Sequence, residues 1–192
     1  MGKAMMAARL APLIALALVG CRNSTATISS QRLDAAPVAP HRLLVFADVG
    51  NVFLNKADGD EEKIFSDDVT KSLAGCGITV DYQKKRPLNT ALTLDDSEKR
   101  RDDRGLSTST FGADTILDIQ WTSQNSGIGV AASANYTLTL FNAQARKPVW
   151  TAQMTFVSAW YGGQRYAATL VDRLKQDGLV PAGCVTPAVP KA

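Results

Sequence analysis

Histidine is almost missing from this chain and cysteine is scarce: its 192 residues include one histidine, His41, and three cysteines, Cys21, Cys76 and Cys184. Nucleophilic catalysis needs a base beside the nucleophile, and no Gly-x-Ser-x-Gly turn occurs. Zinc sites need clustered Cys and His, whereas these cysteines are widely spaced singletons. Long apolar runs are lacking too. The stretch from Leu10 to Val19 is about ten residues long, short of the about 20 that cross a hydrocarbon core. Nor does charge of one sign dominate. The formal net charge is +3, and without Lys3 and Arg9 the 21 basic residues fall to 19 against 18 acidic, about +1. That balance argues against nucleic acid or an anionic membrane surface as partner. The expectation is a protein that is not an enzyme, with no catalytic residues, no cofactor and no metal.

The composition itself is that of a globular protein, 45% hydrophobic and 20% charged, with room for one domain of ordinary size. Residues 1–20 combine a short basic region with the apolar run, the pattern of a signal peptide. The run closes on Leu18-Val19-Gly20-Cys21, which resembles the lipobox of bacterial lipoproteins. The resemblance implies cleavage before Cys21, acylation of Cys21, and a mature protein held to a lipid bilayer by that residue. Each buried methylene contributes about 0.8 kcal/mol, so two or more chains anchor stably. In that family an aspartate after the cysteine commonly signals inner-membrane retention. Arg22 stands there instead, which implies the periplasmic face of the cell outer membrane.

Residues 21–41 turn to Ser, Thr, Ala, Pro and Gln and read as a lipidated cysteine followed by a flexible tether. Such a tether would float the domain about 25 Å from the bilayer, or about 65 Å when stretched. His41, at its end, reads as a solvated boundary residue. Cys76 and Cys184, each just past a predicted helix in an exported chain, can form a disulfide closing a loop of roughly a hundred residues, worth about 4–5 kcal/mol. Two unpaired thiols are the alternative.

Folded structure is expected over residues 42–184, with a frayed tail at 185–192. Leu43 to Ala47 is a continuous apolar run suited to a strand buried on both faces. The acidic residues Asp58 to Glu62 precede Phe65, Val69 and Leu73 at helical spacing, and Gly75 is the expected stop. Ile78 to Tyr82 alternates as a second strand, so a strand–helix–strand crossover is suggested, with an antiparallel arrangement left open. Residues 84–110 read as an exposed loop with one short polar helix and a possible docking role. Thr115–Trp121, Tyr136–Phe141 and Val149–Val157 alternate as strands, the last two as a hairpin joined through Pro148. Residues 123–134, rich in Ser, Gly and Ala, read as a flexible connection. A last helix over residues 164–177 is predicted to stop at Gly178. The fold class expected is α/β (α+β): one four- to five-stranded sheet backed by two helices.

The order of strand Thr115–Trp121, a Lys147-Pro148-Val149-Trp150 strand and the amphipathic helix closing on Gly178-Leu179-Val180 resembles small α/β lipoprotein domains of the Gram-negative envelope. These are related to the N-terminal domain of TolB and to penicillin-binding-protein activators. The resemblance covers about residues 112–180 and implies a non-catalytic accessory that binds another envelope protein or component. It supplies no catalytic residues.

Remaining motifs give no chemistry. Gly127-Ile128-Gly129-Val130-Ala131-Ala132 approximates a dinucleotide fingerprint, but a strand follows where a helix N-terminus would have to meet the pyrophosphate. The acid pairs Asp58/Asp60, Asp67/Asp68, Asp95/Asp96 and Asp102/Asp103 read as helix capping and solvation. Trp160, Tyr161 and Tyr166 are either an aromatic contact patch for a partner or a seal between sheet and helix. A carrier of an amphiphile or small ligand between sheet and helices is the alternative function.

Overall fold

The computed structural model describes residues 25–34, 39–48, 61–85, 104–127, 130–157, 162–186 and 188. Cys21, Trp160, Tyr161, most of the charged 84–110 stretch and the end of the tail lie outside them.

The described residues form one open six-stranded sheet with helices on both faces. The strands are β1 (Thr25–Arg32), β2 (Arg42–Asp48), β3 (Thr79–Lys84), β4 (Thr115–Gly127), β5 (Val130–Asn142) and β6 (Lys147–Val157). The helices are α1 (Glu61–Ala74), α2 over residues 104–111, and α3 (Gly162–Gln176). The sheet order is β1-β6-β5-β4-β2-β3. The mixed α/β class is as expected, but the described residues hold six strands and three helices rather than four or five and two.

The apolar run Leu43–Ala47 makes β2 a strand buried on both faces, between parallel neighbours β4 and β3. The β2–α1–β3 unit is therefore a parallel crossover. Its helix ends at Ala74, directly before Gly75, the expected stop. In the turn that follows, Gly77 N–H donates to Ala74 O, and the positive φ of 80° at Gly77 lets Ile78 N–H reach Leu73 O. From β4 onward the chain is antiparallel. β4 and β5 run through the Ser/Gly/Ala-rich stretch that reads as a connection, because small side chains still pair their backbones, with register shifts between Trp121/Ser123 and Asn125/Gly127.

The sixth strand comes from the stretch read as tether. Thr25–Arg32 pairs antiparallel with β6, from Thr25↔Val157 to Arg32↔Trp150. Its composition hides it: Thr, Ser and Gln on one side, and only Ala26, Ile28 and Ser30 turned toward the core. The Ser30 hydroxyl donates to Asp177 Oδ2 (2.5 Å) beyond α3, and the same carboxyl oxygen accepts Trp150 Nε1–H (2.6 Å) and Arg173 Nε–H (3.0 Å).

α1 and α3 share one face of the sheet. Phe65, Val69 and Leu73 of α1 and Tyr166, Leu170, Val171 and Leu174 of α3 cover Leu43, Val45, Leu117, Ile119, Tyr136, Leu138, Trp150 and Phe156, all buried. The two helices meet closely at their N-termini, where Gly163 N–H donates to Glu61 Oε2 (2.6 Å). α2 lies on the opposite face, over β2, β4 and β5.

Candidate functional site

Alternation along the strands puts Leu44, Phe46, Ile116, Asp118, Gln120 and Phe141 on the face away from α1 and α3. Where that face is apolar, α2 covers it. Arg42 holds the C-terminal end of α2 by donating to the Phe111 carbonyl and lying over the Phe111 ring, 4.7 Å from its centroid. Arg104 is the first described residue of α2. Its Nη1 donates to Asp118 Oδ2 (3.2 Å) and its guanidinium lies 5.8 Å from the Phe141 ring centre.

Asp118 is shared. Its second oxygen accepts Lys85 Nζ, whose side chain is 5% exposed. Nζ also donates to the Ile119 carbonyl (3.2 Å) and Gln120 Oε1 (3.1 Å), and sits 5.6 Å from the Phe46 ring centre. Gln120 passes the network on, donating from Nε2 to Asp48 Oδ2 (3.0 Å). A buried ammonium is stable only when its charge is answered and its protons are placed, and here all three of these acceptors lie on one strand, β4.

Beside this network opens a cleft of about 830 Å³ between α2 and the β4–β5 hairpin. Ile116 and Phe141 form its floor, Leu106 and Thr108 of α2 one wall, and the β5–β6 turn with Asn142 and Arg146 the other. Leu106 is 69% exposed. The turn is braced by Ala143 N–H to Asp114 O (2.9 Å) and Ala145 N–H to Asn142 Oδ1 (2.8 Å). Arg146 completes it at φ 52°, the left-handed region that favours glycine.

No family model matches this chain, and no curated protein matches it. Among solved structures, it is similar to the PelC dodecamer from Paraburkholderia phytofirmans in two crystal forms. One, a single-residue variant, gives 13% identity and a TM-score of 0.40 over 67% of this chain and 80% of that chain. The other gives 13% identity and a TM-score of 0.39 over 71% and 84%.

The structure distributes the sequence-predicted residues as follows. Cys76 and Cys184 are at disulfide distance, with Cα atoms 5.0 Å apart. Tyr166 does not belong to an exposed patch: it is fully buried, with ring centres of Phe65, Tyr136 and Phe156 at 4.5, 5.3 and 5.8 Å. Its position on the inner stripe of α3 decides that. His41 is exposed, its ring 3.6 Å from Asp114 and its N–H on the same carboxylate (3.0 Å). Glu61 and Glu62, read as solvated helix-start acids, are buried: Glu61 accepts from Gly163 N–H, and Glu62 pairs with Lys84. Asp67 is an exposed i,i+4 partner of Lys63; the other acid pairs lie outside the described residues, apart from Asp68. Burial raises the Asp68 carboxyl above its ordinary 3.8, against the lowering effect of Lys71.

Sequence reasoning missed Lys85, Arg104, Asp118 and Arg146. The local trace is slight: Asp118 and Gln120 alternate on the outer face of β4, and the basic Lys84 and Lys85 stand at the end of β3, which lies beyond β2 in the sheet.

Proposed function

We propose that this chain is a membrane-anchored periplasmic lipoprotein, acylated on Cys21, that acts without catalysis by binding another component of the cell envelope. The observation that carries the reading is the Leu18-Val19-Gly20-Cys21 sequence only three residues ahead of a strand that pairs with β6 along its whole length. A lipid on Cys21 would sit at most about 14 Å from Thr25, taking about 3.5 Å per residue. The domain is then carried against the bilayer, at the periplasmic face of the outer membrane, rather than on a long leash.

The sheet's construction favours an accessory over a carrier. Phe65, Tyr136, Trp150, Phe156 and Tyr166 fill the space between the sheet and helices α1 and α3, where a carrier would hold its ligand. Among the described residues, a surface feature with shape and charge is instead the cleft under α2, which lies at the end of the sheet away from Thr25. That position follows from the register: Thr25 aligns through Val157 with Ser133, whereas Asn142 and Lys147 pair at the far end.

The test is Cys21→Ser. The variant should remain an unacylated precursor that keeps its leader; normal processing and membrane retention would overturn the anchor. Crosslinking in the native envelope with identification of the captured species tests the accessory role.

A further inference from the structure

The cleft has two chemistries side by side. Its floor, Ile116 and Phe141, is apolar, and Leu106 stands exposed at its edge. Two guanidinium groups, of Arg104 and Arg146, also line it. Arg104 spends Nη1 on Asp118, and its other donors have no partner among the described residues; its side chain remains 37% exposed. Arg146 is exposed and has no ion pair among the described residues. Asp118 already answers Lys85 and Arg104 together, so among the described residues the cleft is left with positive charge to spare.

Arg146 is also in a costly place. The fourth residue of this turn takes a left-handed backbone that glycine adopts freely, yet an arginine occupies it. Among the described residues nothing uses its side chain. A strained position filled by an unpaired cation beside an apolar floor is an outlier that points toward binding.

We propose that this cleft binds an acidic peptide segment with an apolar side chain, presented by an envelope partner. The apolar side chain lies on Ile116 and Phe141 against Leu106, and carboxylates pair with Arg104 and Arg146 in the fork geometry that guanidinium favours. The cleft is only partly enclosed. That suits a peptide, which covers it with its own backbone, better than an acyl chain, which would stay wetted. Two guanidinium groups alone, one of them already bonded to Asp118, make a short track for repeated phosphates. This assignment rests on the accessory role proposed above and supplies its contact surface.

The test uses the full chain in a nonionic detergent and fluorescence anisotropy with labelled octapeptide pools of Glu and Leu in random order, beside matched pools of Gln and Leu. The Glu/Leu pool should bind, and the Gln/Leu pool at least tenfold more weakly. Arg146→Gly should weaken Glu/Leu binding at least tenfold while Tm stays equal or rises, because glycine relieves the turn; a merely structural Arg146 would not give that pair of results. Equal affinity for both pools, unchanged binding by Arg146→Gly, or no binding of the Glu/Leu pool would overturn the proposal. So would native mass spectrometry showing a fatty acid or phospholipid bound to the wild type and lost from Arg146→Gly, since that assigns the cleft to an amphiphile. The Cys21→Ser and crosslinking tests are read separately, so the cleft and the accessory role can fail independently.

Discussion

Gly163 sets how closely α1 and α3 approach. A Cβ there would overlap the Glu61 carbonyl oxygen and stand 3.0 Å from Phe65 N, both backbone atoms that cannot swing aside. Gly163→Ala should therefore destabilise the domain at the upper end of the range for overpacking, about 3 kcal/mol, read as a fall in Tm by circular dichroism. Asp177 is the other decisive residue. Burial pushes its carboxyl up, but hydrogen bonds from Arg173, Ser30 and Trp150, with the charge of Arg173, outweigh this and hold it below its ordinary 3.8. A carboxyl with a depressed folded-state pKa contributes stability that is complete above the unfolded value and fades as pH falls through the folded one. Asp177→Asn should thus lower the urea midpoint at pH 7, and the gap from wild type should narrow as pH drops from about 4 toward 2.

At the scale of elements, β1 has the least apolar surface and the most to explain. It is an edge strand whose inner side offers Ala26 and Ile28, and it stays in place through its ladder with β6 and the Ser30–Asp177 bond. Edge pairing of this kind shields the next strand from pairing with other chains. A chain starting after Arg32 should unfold at lower urea than the full mature chain, measured by intrinsic tryptophan fluorescence, and should associate as the β6 edge opens. The elements differ in how plainly the sequence announces them. β2 and α3 are unmistakable, because a five-residue apolar run and a 3.6-residue stripe have one reading each. β1 is not, since Thr-Ala-Thr-Ile-Ser-Ser-Gln-Arg carries too few apolar residues to separate an edge strand from a tether. α2 lies between: its polarity suggests a short helix, but nothing local says that it will cap Ile116 and Phe141. The Lys85–Asp118–Arg104 network was hidden for a related reason. It joins residues 33 and 14 positions apart through a sheet order, β4-β2-β3, that skips the chain order, and local pattern carries no information about that.

Across the whole molecule, Cys76 after α1 and Cys184 beyond α3 tie together the two helices that share a face. Their sequence separation of 108 encloses most of the sheet. Closing a loop of that length contributes about 4–5 kcal/mol in the chain-entropy model. Cys76→Ser should accordingly lower Tm well below that of the wild type, and dithiothreitol should reduce the wild type to the same value while leaving the variant unchanged.

The antiparallel pairing of the first strand with the last also settles how the domain would bear a load. A lipid at one end and a partner at the other would pull β1 lengthwise against β6, so the ladder from Thr25 to Arg32 would be strained in shear, its bonds sharing the force at once rather than parting one by one. The same strand attached from its Arg32 end would peel like a zip.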